Sequence, residues 1–315
     1  MNTSATLSPP AVPGVTSAIG KIRRLGFIGL GVMGEPMCRN LAQKSGLPVL
    51  ALDRDAQPLA RVASFGVQSA TNAAAVVDGA DLVFLSLPSG EVVRDLCHGA
   101  DGLLARIRPG QVVVDLSTSP VDITRALAAE FAGRGAHFID APVARTRAAA
   151  EAGTLSVMVG ADAAGFEAVR PLIATFASDI THCGAVGTGQ VVKILNNMVL
   201  FETVVAMAEA KAIAERSGVD PALLFDTLSK GSADSFALRN HGMKSMLPGE
   251  FPERAFSVEY ARKDLDYALR LARDTGVDAR GARTVDGWFQ EAIDAGDGAR
   301  YHPVIYRRIA GIPAK

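Results

Sequence analysis

Apolar residues in the first half of the chain fall in short unbroken runs separated by amphipathic stretches. Leu25-Gly26-Phe27-Ile28, Pro48-Val49-Leu50-Ala51-Leu52, Leu82-Val83-Phe84-Leu85-Ser86-Leu87 and Val112-Val113-Val114-Asp115 are strand-length, and they read as parallel strands covered on both faces. Helical stretches lie between them, from Val32 to Gln43, along an Ala-rich segment leading to Gly66, and from Thr71 to Asp78. Further strands are predicted at Ala136 to Asp140, Thr154 to Val159 and Ile180 to Cys183. This alternation predicts an α/β fold with a Rossmann-type, doubly wound, mostly parallel sheet.

After Gly189 the pattern changes. Gln190 to about Arg216 predicts one helix of roughly 40 Å, at 1.5 Å per residue, closed by Gly218. Asp220-Pro221 starts another, Val258 to Asp274 forms one that ends before Gly276, and Thr284 to Ala295 forms a third. The predicted organisation is a mobile tail over residues 1–20, a dinucleotide-binding domain over 21–184 and an all-helical substrate and oligomerisation domain over 185–315. The long interdomain helix joins the last two.

The first strand runs into Gly29-Leu30-Gly31-Val32-Met33-Gly34, and the second ends at Asp53, the spacing of a βαβ dinucleotide-binding unit. Gly29 permits the tight turn, Gly31 lets a pyrophosphate approach the backbone, and Gly34 lets helix and strand pack closely. Free N–H groups at the helix start then face the phosphates. Asp53 accepts hydrogen bonds from ribose hydroxyls and repels a 2′-phosphate, which favours NAD. Arg54 beside it can hold that phosphate, which leaves NADP open.

Composition narrows the classes. The 315 residues carry 32 basic and 33 acidic side chains, so no field for nucleic acid or an acidic membrane is implied. Read letter by letter, no apolar run reaches the roughly 18–20 residues that span a bilayer. The start of the chain has no basic residue ahead of an apolar block, so a cytoplasmic address is expected. The cysteines Cys38, Cys97 and Cys183 sit in apolar settings and read as structural, and the five histidines show no metal-ligand spacing.

The long helix is apolar on every side except at Lys193, Asn196 and Asn197, which fall within about 100° of one another. Lys193 and Asn197 are one turn apart. Desolvation favours the neutral amine and moves its pKa down toward the working range, as a general acid/base needs. The alternative is a lysine that snorkels to solvent beside bridging asparagines. Gly187-Thr188-Gly189 ahead of it would let a ligand approach the helix start.

Four segments in order resemble the β-hydroxyacid dehydrogenase family, whose best-known member is 3-hydroxyisobutyrate dehydrogenase. Gly26 to Met37 is similar to its N-terminal signature, and Asp140-Ala141-Pro142-Val143 with Gly153 to Gly160 to its substrate-loop signature. Gly187-Thr188-Gly189-Gln190 with Lys193, Asn196 and Asn197 is similar to its catalytic signature, and Lys263-Asp264-Leu265 to a late motif whose lysine approaches the cofactor. The resemblance implies Lys193 as catalytic acid/base and Asn197 as holder of the reacting oxygen. It also implies Leu87-Pro88-Ser89 and Thr118 on the nicotinamide–ribose side, with Thr118 reaching the substrate as well. Lys263 would stand near the nicotinamide, unless it pairs with Asp264 or Asp266. Relatives of this kind are commonly homodimers or homotetramers.

One segment departs from the family. Where most members carry Ser-Gly-Gly to receive the substrate carboxylate, this chain has Ala144-Arg145-Thr146, followed by Arg147. Turned inward, Arg145 would offer a fork of donors to a carboxylate or sulfonate, with Thr146 replacing the lost hydroxyl. The Arg-Thr pair resembles the sulfolactaldehyde reductase branch. Turned outward, the arginines would face solvent or a neighbouring subunit.

The leading expectation is an NAD-dependent oxidoreductase that interconverts a short 3-hydroxy acid and its semialdehyde, with sulfolactaldehyde reduction as the alternative. An imine reductase shares the signatures but usually replaces the lysine. A non-catalytic dinucleotide-binding scaffold is the reading from another class.

Overall fold

The computed structural model describes residues 18–253 and 255–312. The chain divides into two compact units, one ending at Lys193 and the other beginning at Ile194. The division falls inside the long helix, later than the predicted boundary at 184. The predicted tail lies outside the described residues except for its last three. There Ile19 packs on the core and the Gly20 N–H donates to the Gly110 carbonyl at 3.0 Å.

The first unit runs β1 (Leu25–Ile28), α1 (Gly34–Lys44), β2 (Val49–Leu52), α2 (Ala56–Ala63), β3 (Gln68–Ser69), α3 (Ala73–Gly79) and β4 (Leu82–Leu85). It continues through α4 (Gly90–His98), α5 (Leu103–Arg106), β5 (Val112–Asp115), α6 (Val121–Ala132), β6 (His137–Asp140) and β7 (Val143–Ala144). It closes with α7 (Arg147–Ala152), β8 (Leu155–Gly160), α8 (Ala163–Ile173), β9 (Ala177–Gly184) and the start of α9 (Thr188–Arg216).

Among the described residues nine strands form one sheet in the order β3-β2-β1-β4-β5-β6-β8-β7, with β9 on β8. The six strands from β3 to β6 are parallel, whereas β8 runs antiparallel to β6 and β7. The order reverses between β1 and β4, and that switch point opens a crevice at the carboxyl ends of the strands. Side chains alternate across the sheet. Leu25, Phe27, Leu82, Phe84, Val112 and Val114 enter one core, while Ile28, Val83, Leu85 and Val113 enter the other. Phe84 sits between Phe27, tilted against it, and Phe176, edge-on, with ring centroids 6.0 and 5.9 Å away. The two-residue strands β3 and β7 were not predicted, because an alternation needs more length to register.

The second unit continues α9 and adds α10 (Pro221–Leu228), a π-helix (Leu238–Met246), α11 (Val258–Thr275), α12 (Arg280–Asp294), a 3-10 turn (His302–Ile305) and α13 (Tyr306–Ile309). Asp220 and Ser257 cap α10 and α11, and Gly276 ends α11 in the left-handed region. The π-helix was not singled out from sequence. Its Leu247 N–H reaches five residues back to the Gly242 carbonyl.

By length and composition α9 is apolar enough to cross a membrane, which corrects the letter-by-letter reading. Isolated polar residues such as Lys193 and Asn197 break its runs without changing its average. A little under half of that stretch is buried within the protein, where Phe201, Val204, Ala208 and Ala212 join the core of the helical unit.

An aromatic cage holds His302 in that core. Phe201, Phe256, Phe289, His241 and Tyr301 surround its ring, and neither ring nitrogen has a hydrogen-bond partner. Burial drives its pKa well below the usual histidine value, helped by His241, which burial brings down to about 4 while its Nδ1 meets the Tyr301 hydroxyl. A histidine kept neutral on folding contributes stability that is full above its unfolded value of 6.5 and is lost as the pH falls toward the folded value. Stability should therefore drop with acidification below pH 6.5, by up to about 1.4 kcal/mol per pH unit for each histidine. Denaturant titrations at pH 7 and 5 should show a smaller loss in His302→Phe. Equal losses in both proteins would mean that His302 does not contribute.

Candidate active site

The crevice at the β1–β4 switch point is built on glycine geometry. At Gly29, with φ of +96°, an added Cβ would collide with the Ser86 carbonyl oxygen, and one at Gly34 would collide with that of Gly29. At Gly31 a Cβ would meet nothing within 4 Å, and α1 has no side-chain cap at its N-terminus. Backbone N–H groups at an uncapped helix start, beside an open glycine, suit the pyrophosphate of a dinucleotide. Leu30 is buried, Val32 is exposed and Met33 half-buried. Asp53 closes β2, where its carboxylate accepts the Leu30 N–H and, at 2.8 Å, the Asp55 N–H. Arg54 is exposed beside it.

Across the switch point, the Leu87 N–H donates to Ser117 Oγ at 2.9 Å, exposed Pro88 follows, and Ser89 caps α4. Thr118 is buried between Ser117 and Ser119. A buried polar network fixes this turn. Asp115 accepts the Ser117 N–H at 2.9 Å and the Ser119 hydroxyl at 2.7 Å. Gln190, in the first turn of α9, accepts the Ser119 N–H at 3.0 Å and donates to the Ser117 carbonyl at 2.8 Å.

Asp140 anchors the same helix from β6. Its carboxyl accepts the Gly187 N–H at 2.6 Å and the Gln190 N–H at 2.8 Å. Burial raises it to about 7, against those two donors and with Asp115 beside it in register. Such a carboxyl contributes stability that is full below its unfolded value of 3.8 and lost as the pH rises through about 7, opposite in sign to the caged histidines.

Lys193 follows Gln190 by three residues and so lies on the same helix face, 8 % exposed. Gly187 and Gly189 were read as room for a ligand, and that reading is corrected. A Cβ at Gly189 would collide with the Met158 carbonyl oxygen and stand 2.8 Å from Asp140 Oδ2, and one at Gly187 would stand 2.9 Å from Arg125 Nε. Gly189 serves packing within the protein, and Gly187 is held to glycine by its φ of +92°.

One turn beyond Lys193, in the helical unit, Asn197 is 1 % exposed. Its Nδ2 donates to Asp264 Oδ2 at 2.8 Å, and its Oδ1 accepts from Asn196 at 3.1 Å. Lys263 Nζ lies 3.0 Å from the other Asp264 oxygen and 4.0 Å from the Tyr260 ring centroid. Sequence reasoning named Asp264 only as an ion-pair partner and missed its hold on Asn197.

The substrate-loop residues are placed differently from expectation. Ala144 is buried on β7, and the Thr146 hydroxyl caps α7 by accepting from Ala149. Arg145 does not present an unoccupied fork to an anion. Its Nη1 donates to the Thr154 carbonyl at 2.7 Å and to Ser178 Oγ at 3.0 Å, and its Nη2 meets Asp179 Oδ2 at 2.8 Å. Among the described residues it alone is a non-glycine with positive φ, at 86°, a conformation that costs an L-residue roughly 1–2 kcal/mol. Arg147 pairs with Glu151 on its own helix at 2.9 Å.

Comparison with known proteins agrees with this construction. The family model described as the NAD binding domain of 6-phosphogluconate dehydrogenase matches residues 24–184. That described as NAD-binding of NADP-dependent 3-hydroxyisobutyrate dehydrogenase matches 187–309. Fold and crevice thus define an NAD(P)-dependent oxidoreductase. The chain is 35% identical over 254 residues to 2-(hydroxymethyl)glutarate dehydrogenase of Eubacterium barkeri, covering 81% of this chain and 84% of that one. It is 32% identical over 288 residues to 2-hydroxy-3-oxopropionate reductase of Escherichia coli, covering 91% and 97%. The structure of Mycobacterium tuberculosis 3-hydroxyisobutyrate dehydrogenase with L-serine superposes with a TM-score of 0.82 at 31% identity, over 92% of this chain and 99% of that one. The chain belongs to the β-hydroxyacid dehydrogenase family.

Proposed function

We propose that this chain interconverts a short 3-hydroxy acid and its semialdehyde, with Lys193 as general acid/base. The observation that carries the reading is a buried lysine one helical turn from an asparagine oriented by a carboxylate, on a helix start tied to the turn around Thr118. Bound nicotinamide supplies or accepts the hydride. The residues that hold the dinucleotide are Gly29, Gly31, Gly34 and their loop, Asp53, Leu87, Pro88, Ser89 and Thr118; Lys263, which pairs with Asp264, is left out of that set. Asp53 at the end of β2 favours NAD, with NADP as the second choice.

Lys193 gives its proton to the carbonyl oxygen during reduction and takes one from the hydroxyl during oxidation. Asn197 donates to that oxygen, and Asp264 sets which way its amide faces. The loop Ala144–Thr146 receives the acid group. A carboxylate is favoured over a sulfonate, because the Arg145 guanidinium is engaged by Asp179. A homodimer or homotetramer belongs to this reading, supported by the exposed apolar side chains of Val192, Leu195, Val199 and Ile213 along α9.

The test is a panel read as NADH absorbance. It should include 3-hydroxyisobutyrate, L-serine, tartronate semialdehyde, succinic semialdehyde, sulfolactaldehyde and a cyclic imine. Turnover of a short hydroxy acid or semialdehyde is expected. Turnover of the imine alone, or of none of them, would overturn the reading.

A further inference from the structure

We propose that Arg145 is a positioning residue: its side chain latches the Ala144–Thr146 loop to β9 and thereby sets the shape that receives the acid group. The proposal rests on the hydroxy-acid reading and assigns a residue within that site.

The latch is built into the sheet. β7 pairs with β8 at Ala144 and Ser156, so Arg145 leaves the sheet directly after a paired residue. β8 pairs with β9 at Leu155–Ala177 and then at Ser156–Asp179, which leaves Ser178 as the extra residue of a bulge. Bulges re-aim side chains beside functional sites. Here the bulge brings Ser178 and Asp179 within reach of Arg145, and the Ser178 hydroxyl donates to Asp179 Oδ2 at 2.7 Å. The Ser178 hydroxyl, followed by Arg145, holds the Asp179 carboxyl below the usual carboxylate range. The guanidinium therefore meets the carbonyl just ahead of β8 and a hydroxyl and a carboxylate on β9.

The backbone gives the latch a purpose. Glycine takes positive φ freely, whereas an arginine there stays only when its surroundings hold it. Substituting arginine for a small residue in this turn thus requires a side-chain anchor, and the bulge provides one. On this account the arginine shapes the loop and the substrate's acid group is gripped by other atoms.

Four proteins test it: wild type, Arg145→Gly, Arg145→Ala and Asp179→Asn. KM and kcat are measured with the best substrate of the panel, and Arg145→Gly, which takes positive φ without a latch, is expected to raise KM several-fold less than Arg145→Ala. Arg145→Ala and Asp179→Asn should raise KM by roughly tenfold or more with kcat little changed. A KM in Arg145→Gly as high as in Arg145→Ala, with Asp179→Asn unaffected, would show that the guanidinium grips the substrate and would overturn the proposal. Hydrogen exchange over residues 143–154 reads the latch without any substrate. Exchange should quicken in Asp179→Asn, and unchanged exchange sinks the latch even if the panel succeeds. A panel failure with quickened exchange would instead overturn the hydroxy-acid reading and leave the latch standing.

Discussion

Lys193→Ala should lower kcat by roughly 10²- to 10⁴-fold, the usual worth of a positioned acid/base, while NADH still binds. The split follows from position. Lys193 lies one turn past Gln190, whereas the glycine loop and Asp53 lie on other elements of the sheet unit. Fluorescence titration with NADH should give a dissociation constant close to that of wild type. A variant that keeps a tenth or more of wild-type kcat would remove Lys193 from the reaction. Asn197 should behave differently, since Asp264 orients it and the proton does not pass through it.

The second large effect separates two glycines three residues apart. Gly34→Ala forces a methyl group into the Gly29 carbonyl oxygen and the Ser86 side chain, at the tightest helix–strand contact of the crevice. Overpacking against backbone costs about 1–3 kcal/mol or more, so the variant should melt several degrees lower or fail to accumulate folded. Gly31→Ala meets nothing within 4 Å and should melt like wild type. Its methyl group would nevertheless stand on the open side of the loop, and NADH affinity should fall by at least about tenfold, from loss of close backbone approach. Thermal melts paired with NADH titration read both effects. Undiminished affinity in Gly31→Ala would place the pyrophosphate elsewhere.

These outcomes also show what a linear reading of the chain can reach. The glycine loop was legible because backbone constraints are written directly in residue type. Each of Gly29, Gly31 and Gly34 has a separate steric reason, and Asp53 marks the end of the next strand. The burial of Lys193 was legible because it stands in apolar surroundings on a helix whose phase is known. Partners distant in sequence were not legible in the same way. Asp264 lies 67 residues from Asn197, and only the phase of α11 decides that Asp264 is buried while Asp266 faces solvent. Ser178 lies 33 residues from Arg145 and reaches it through a bulge, which breaks the two-residue period that strand prediction relies on. Gly187 and Gly189 were assigned to a ligand because no sequence rule separates room for a substrate from room for a neighbouring strand. The long helix shows a related limit, since single polar residues hid how apolar it is on average.

The crowding at the start of α9 limits how the enzyme can be redesigned. Asp140 fills the space over both Gly160 and Gly189, so neither position tolerates even one more carbon without displacing that carboxyl. Libraries aimed at new substrates would waste clones at 187–190, and diversity is better spent on Thr146 and Arg147, whose side chains are exposed and lie beyond the latched residue.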